Sequence, residues 1–279
     1  MRIPLLALLL PLLLSALALP AAALELEGPL IQGGVVIGHV PPGTTVRLDE
    51  RRVRVAADGT FVIGFDRDAP ATQRLQVGDE QHELTIARRE YQIQRVNGIA
   101  QNIMSPSAAE LERIRREQAL VNAARALDDD RTDFAKGFVW PITGRISGVY
   151  GSQRVYNGEP SRPHYGVDIA APTGALVRAP APGVVTLAEP DLFFSGGTVI
   201  IDHGLRLSSS FLHLSAVLVK VGQRVEPGDV VARVGSSGRA NGPHLDWRMN
   251  WRDAKVDPQL LAGAMPAATP APKAQGDMN

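Results

Sequence analysis

The chain has 279 residues and carries no formal net charge, 29 Lys plus Arg balancing 29 Asp plus Glu. At about 100–200 residues per domain the length suits two modest domains, and the charge balance argues against nucleic acid as a partner. Its 27 Gly and 21 Pro predict many turns and short strands, while the absence of Cys excludes disulfides, thiolate metal sites, thiol nucleophiles and lipidation at an N-terminal Cys.

After Met1-Arg2 an apolar run, IPLLALLLPLLLSALALP, leads to Ala21-Ala22-Ala23 and then Leu24-Glu25. A short basic end, a hydrophobic stretch and a small-x-small site predict an export signal over 1–23, cleaved after Ala23. Pro11 interrupts the run and only Arg2 precedes it, which favours cleavage over a retained anchor. No later segment approaches about 18 continuous apolar residues, so no stable membrane insertion is expected after cleavage.

From 24 to 96 short alternating runs such as GGVVIGHV, TVRLDE and TFVIGF are separated by Pro41-Pro42-Gly43 and Asp58-Gly59. Val35 and Ile37, Val46 and Leu48, Val53 and Val55, and Phe61 and Ile63 follow a period of two, which predicts a small β-sandwich that spaces or binds. His39 and His82 have no second ligand at useful spacing and read as structural or surface residues.

A helix is predicted over about 108–127. Ser107 and Glu110 form a capping box, Leu111, Ile114, Val121 and Leu127 share a face, and Glu112 with Arg116 makes an i,i+4 pair. Residues 97–137 read as a helical connector. The solvated break at Asp128-Asp129-Asp130 and Arg131 leaves a lid or partner-docking helix as a second reading.

Residues 138–261 carry β-type runs between glycines and few helix signals, so an all-β, largely antiparallel second domain is expected. The segment 262–279, AGAMPAATPAPKAQGDMN, lacks periodicity and reads as a disordered tail.

Four of the six histidines fall between positions 164 and 244. In His164-Tyr165-Gly166-Val167-Asp168 a spacing of four on an extended segment puts imidazole and carboxylate on one face. The spacing of two in His244-Leu245-Asp246 does the same, and His213 sits in the alternating stretch Phe211–Leu214. A hydrolytic zinc site needs about three protein ligands and a place for water, whose pKa the metal lowers while a neighbouring His moves protons. These residues suffice for a metal and a general base. Spacing alone does not show that they converge, and each pair taken singly also fits an ordinary surface.

The blocks WPITGRISGVYG (140–151), HYGVDIAAPTGALVRAPAPGVV (164–185), GGTVIIDHG (196–204), FLHLS (211–215), VKVGQRVEPGDVVARVGSSGR (219–239) and GPHLD (242–246) occur in that order. Together they resemble the LytM-type, lysostaphin-like zinc metallopeptidases of peptidase family M23. The resemblance implies a mainly β protein whose C-terminal antiparallel peptidase domain has a narrow groove. It implies Zn2+ held by His164 and Asp168, with His213 and His244 as the catalytic, non-ligand histidines. The third ligand departs from the pattern, because Asp246 stands where the family usually has the second His of H-x-H. Asp is a competent zinc ligand, so the set remains complete, although two carboxylates should weaken the ion as a Lewis acid.

The implied function is that of an exported zinc metalloendopeptidase hydrolysing peptidoglycan stem-peptide cross-links in a periplasm. The rival reading is a catalytically inactive module that binds cell wall or activates a wall amidase as its partner. A third is a secreted protease acting on glycine-rich proteins. His203 in IIDHG reads as a structural turn residue. Trp247 and Trp251 either line the groove or fill the core, Tyr156 and Arg162 are candidates for substrate contact, and GSSGR (235–239) is a turn, not a phosphate loop.

Overall fold

The computed structural model describes residues 24–96 and 107–266. The expected leader at 1–23, residues 97–106 of the expected connector and 267–279 of the expected tail lie outside the described residues. The first tail residues, 262–266, are held, with Ala262 and Met265 against the core and the Gly263 carbonyl accepting from Trp140 Nε1 at 3.1 Å. Seven strands open the described chain: β1 (Glu25–Glu27), β2 (Val35–His39), β3 (Val46–Leu48), β4 (Arg51–Val53), β5 (Thr60–Gly64), β6 (Thr72–Val77) and β7 (Glu80–Thr85). They form two antiparallel sheets, ordered β1-β2-β5 and β4-β3-β6-β7. Alternation holds in β3, where Val46 and Leu48 are buried around a half-exposed Arg47. It fails in β5, all five residues of which are buried. That strand packs on both sides: a Cβ at Gly64 would come within 2.8 Å of the Trp251 Cβ and 2.9 Å of Val256. One hydrophobic cluster accordingly runs through both β-rich regions.

Strand β8 (Ile93–Val96) precedes helix α1 (Ala108–Ala124) and a 3-10 turn at Asp133–Lys136. The capping box forms as the residue types predict: the Ser107 hydroxyl accepts from the Glu110 N–H at 3.3 Å, and the Glu110 carboxylate from the Ser107 N–H at 2.7 Å. The helix stops at Ala124, short of the expected Leu127, because three consecutive aspartates follow and anions oppose a helix C-terminus. Its expected apolar face is only partly used. Val121 and Ala124 pack on Leu187, Leu192 and Ile200, whereas Leu111 and Leu127 are exposed. The ion pair that forms is Arg113–Glu117 at 2.6 Å, not Glu112–Arg116, because Arg113 also reaches Asp191 and Glu117 accepts from the Phe193 N–H.

The remaining strands are β9 (Arg145–Gly148), β10 (Gln153–Tyr156), β11 (Glu159–Pro160), β12 (Gly166–Ala170), β13 (Leu176–Arg178), β14 (Gly183–Leu192), β15 (Gly196–Asp202), β16 (Leu207–Val217), β17 (Arg224–Val225), β18 (Val230–Val234), β19 (His244–Trp251) and β20 (Ala254–Val256). A short helix, α2 (Pro258–Ala262), closes the described chain. Most strands join one antiparallel sheet ordered β17-β14-β15-β16-β19-β12-β9, with β13, β18 and β20 attached. This is the mainly β architecture expected. β8 joins the two regions by pairing in parallel with β10.

One face of the large sheet is core, with Val167, Ile169, Phe211, Leu245, Trp247 and Met249 fully buried. Each such side chain contributes about 1.5–3 kcal/mol of burial. Trp247 and Trp251 therefore fill the core and do not line a groove. The alternate residues of the same strands, Ser208, Ser210, Asp246, Arg248 and Asp168, form the other face, on which α1 rests through Ile200. Among the described residues no helix is long and apolar enough to cross a membrane.

Candidate metal centre

The β12–β19 ladder sets Asp168 directly opposite Asp246. His164 lies just before β12, its backbone tied by hydrogen bonds of 2.8 Å to the Ser152 carbonyl and from the Gly151 N–H. One ligand atom from each of His164, Asp168 and Asp246 lies within 4.8 Å of the others. Gly148 and Gly166 leave the space that the carboxylates take: a Cβ at Gly148 would collide with Asp168, and one at Gly166 with Asp246.

His164 Nε2 approaches Asp168 Oδ1 to 3.2 Å, yet both atoms are buried without a hydrogen-bond partner. Carboxylates opposed across a ladder repel, and an orphaned buried acceptor costs about 1–3 kcal/mol. A divalent cation relieves both penalties, and one nitrogen with two carboxylate oxygens is a donor set that zinc accepts. The residues present fit such an ion.

Asp246 is 2% exposed and held by Arg248, whose Nε donates to both carboxylate oxygens at 3.0 Å and whose Nη2 donates to Oδ2 at 2.6 Å. Burial alone would raise the Asp246 pKa, but the charge and hydrogen bonds of Arg248 overrule it and hold the carboxyl below its ordinary range. A carboxylate has about four acceptor positions, so lone pairs remain for a metal. Asp246 with Arg248 carries no net charge, as a neutral imidazole would. With a metal bound, the weakened Lewis acidity expected of two carboxylates would thus be offset by Arg248, a cation that the sequence reading passed over. Its signal was available: H-x-D-x-R at 244–248 puts three polar side chains on one strand face.

His244 and His213 stand beside this set, their ring centroids 4.9 Å apart. His244 Nδ1 bonds the Gly242 carbonyl and His213 Nδ1 the Ser237 carbonyl, each at 2.8 Å. A carbonyl only accepts, so each Nδ1 carries a proton, and in the neutral form of either ring Nε2 holds the lone pair. His244 Nε2 lies 3.7 Å from Asp168 Oδ1. Burial lowers the His213 pKa, which keeps the ring neutral.

Alternation along β16 would turn His213 toward the core with Ser209 and Phe211. Its left-handed backbone, φ 63°, breaks that parity at a register shift in the β15–β16 ladder and brings the ring to His244. Ser237, within the predicted GSSGR turn, holds this arrangement: its hydroxyl donates to the Leu214 carbonyl at 2.7 Å and accepts from the Gly197 N–H at 2.9 Å. Sequence reading missed this positioning role.

His203 belongs to the opposite face. It is fully buried, with Nδ1 on the Pro182 carbonyl at 2.6 Å, Nε2 on the Ser209 hydroxyl at 2.8 Å and Phe138 packed edge-on. Burial pushes its pKa down to about 4. His39 contacts Thr60 and His82 neighbours Glu80, both within the N-terminal sheets. Tyr156 lies half-buried on β10 and Arg162 is exposed in the loop leading to His164.

An antiparallel sheet that carries a His/Asp/Asp donor set able to hold one metal ion, with two histidines beside it, has the form of a β-type metallopeptidase site. The family model described as peptidase family M23 matches residues 162–258, a span that holds all five candidate residues. A Pseudomonas aeruginosa crystal structure assigned to peptidase M23 is 30% identical, covering 84% of this chain and 96% of that one with a TM-score of 0.64. The chain belongs to peptidase family M23. Peptidoglycan DD-endopeptidase ShyA of Vibrio cholerae is 36% identical over 111 residues, 40% of this chain and 25% of that protein. DD-carboxypeptidase/endopeptidase Mpg of Neisseria meningitidis is 39% identical over 113 residues, 40% of this chain and 26% of that protein. The chain thus aligns with about a quarter of the length of these curated relatives.

Proposed function

We propose that the protein is an exported zinc metalloendopeptidase that hydrolyses peptidoglycan peptide cross-links. The observation that carries this reading is the convergence of His164, Asp168 and Asp246, two of them with orphaned buried atoms, beside two histidines with free Nε2 lone pairs. The substrate class rests on the names of the relatives, and export to a periplasm on the composition of residues 1–23. In this proposal residues 24–96 space or bind, 97–137 connect, and 138–261 form the catalytic domain.

His164, Asp168 and Asp246 would hold the ion, which when bound lowers the pKa of a water and polarises an amide carbonyl. In their neutral forms His213 and His244 would supply general-base capacity at Nε2. Once protonated, the same nitrogen donates to the developing oxyanion or to the leaving amine. The Ser237 and Gly242 carbonyls fix each tautomer by occupying Nδ1–H.

One observation favours the inactive, wall-binding or amidase-activating reading: both oxygens of Asp246 already accept from Arg248. Digestion of purified sacculi separates the two. The peptidase reading predicts fragment release that a chelator abolishes and zinc restores. A zinc-loaded protein that releases nothing would leave the binding module as the function.

A further inference from the structure

Arg125 caps the C-terminal end of α1 and turns onto the face of the sheet that carries the candidate metal centre. Its Nη2 donates to the Ser210 hydroxyl at 2.9 Å, while its Nε is buried without a partner. Among the described residues no carboxylate pairs with it. Arg131, Arg224 and Arg89, by contrast, each hold one or more aspartates. Burial, reinforced by the nearby charge of Arg248, lowers the Arg125 pKa to about 10. A guanidinium that is desolvated, faces a second cation and lacks an anion is in a costly environment. Ser208, the next residue on this face of β16, also has a buried hydroxyl without a partner.

The register places this cluster beside the proposed chemistry. Ser210 is opposite Arg248 in the β16–β19 ladder, and Leu212 is opposite Asp246. Arg125 therefore sits one two-residue step from the Asp246 row, about 7 Å along the strands. An extended peptide covers about 3.5 Å per residue, so a carboxylate one or two residues beyond a scissile amide reaches this distance. Arg248 is already bound to Asp246 but keeps 31% of its side-chain surface exposed, and its Nη1 has no partner among the described residues.

We propose that Arg125, held in place by the buried Ser210 hydroxyl, forms with the free edge of Arg248 a carboxylate subsite that selects peptides bearing a free carboxylate within two residues of the cleaved amide. This rests on the peptidase reading for its place in catalysis, but not for anion binding itself. The probe for binding is N-acetyl-D-alanyl-D-alanine against its C-terminal carboxamide, titrated into the metal-free protein while the Arg125 Nε–H resonance is followed by NMR. The acid shifts that resonance saturably and the amide does not. Arg125→Gln, which loses the resonance, identifies it.

In the zinc-loaded protein, a cross-linked peptide with the free carboxylate should be preferred over its amidated twin by about 10- to 100-fold, carried mainly by KM, as expected for a charge-assisted pair that binds ground and transition states alike. The ratio falls toward one in Arg125→Gln and is partly kept in Arg125→Lys. Equal responses to acid and amide in wild type overturn the proposal. So does an equal rise in cleavage of both peptides in Arg125→Gln, which would make Arg125 part of a cover over the groove. A saturable shift with acid, together with no cleavage of any peptide, supports the anion site and removes the peptidase reading.

Discussion

Strands β16 and β19 carry two chemistries on their two faces. On the core face, Trp247, Met249 and Phe211 are fully buried, and the one imidazole there, His203, has a partner at each ring nitrogen. On the other face, His164 Nε2, Asp168 Oδ1, Ser208 Oγ and the overlying Arg125 Nε are buried without partners. A folded chain closes the buried polar groups that it keeps for structure. Trp247 Nε1 is an exception on the core face, buried without a partner; the four unclosed groups of the other face differ in lying together, where a metal or a ligand would close them. His203 and His213 make the contrast within one residue type: both are buried and held neutral, but only His213 keeps Nε2 for use.

The comparison breaks first at the site face. Asp168→Asn should abolish zinc binding and lower sacculus digestion by about 10³-fold or more, because the metal supplies several kcal/mol of charge stabilisation. The fold should persist, as a circular dichroism spectrum and melting curve would record, since Asp168 closes no core contact. On the core face the pattern inverts. Trp247→Ala should cost about 3–5 kcal/mol in urea unfolding, because no neighbour can fill the volume it leaves.

His203 sharpens the contrast through pH. Its folded pKa of about 4 lies below the ordinary value of 6.5, so its contribution is complete above 6.5 and is lost as pH falls toward 4. Between pH 7 and 4.5 wild type should lose about 2–3 kcal/mol of stability that His203→Gln does not lose, measured as the difference in urea unfolding between the two proteins. An identical pH slope in both would mean that this ring is not held neutral by burial.

The smallest effect concerns the Asp246–Arg248 pair. Asp246→His should retain zinc yet leave Arg248 without its carboxylate. Adding Arg248→Gln should then recover about 1–2 kcal/mol in a double-mutant cycle read by thermal unfolding. Strict additivity would show that Arg248 is not coupled to Asp246.

Much of the site was legible because metal chemistry uses few residue types and strands impose a period of two. His164 with Asp168, and His244 with Asp246, were readable on those grounds, and the ordered blocks around them carried the family resemblance. The face of His213 was not readable, since one left-handed residue reverses the parity that alternation predicts. Ser237 and Arg125 were hidden for another reason: each reaches a partner far along the chain, and spacing says nothing about contacts made by packing. Arg248 lay in plain view at i+2 from Asp246, but charge type alone does not say whether an arginine turns to solvent or to a neighbouring acid. In the fold, the two small N-terminal sheets followed from alternation, whereas β5 is buried on both sides because it meets Trp251 and Val256 from the other region.

Asp246, despite its bond to Arg248, is expected to complete a metal site with His164 and Asp168. Bound zinc per chain, measured side by side on wild type and Asp246→Ala after reconstitution, tests it most directly. About one zinc in wild type and its loss in the variant is the expected result, as for a three-ligand site reduced to two. Equal zinc in both proteins would remove Asp246 from the ligand set, and no zinc in wild type would contradict the metal centre itself.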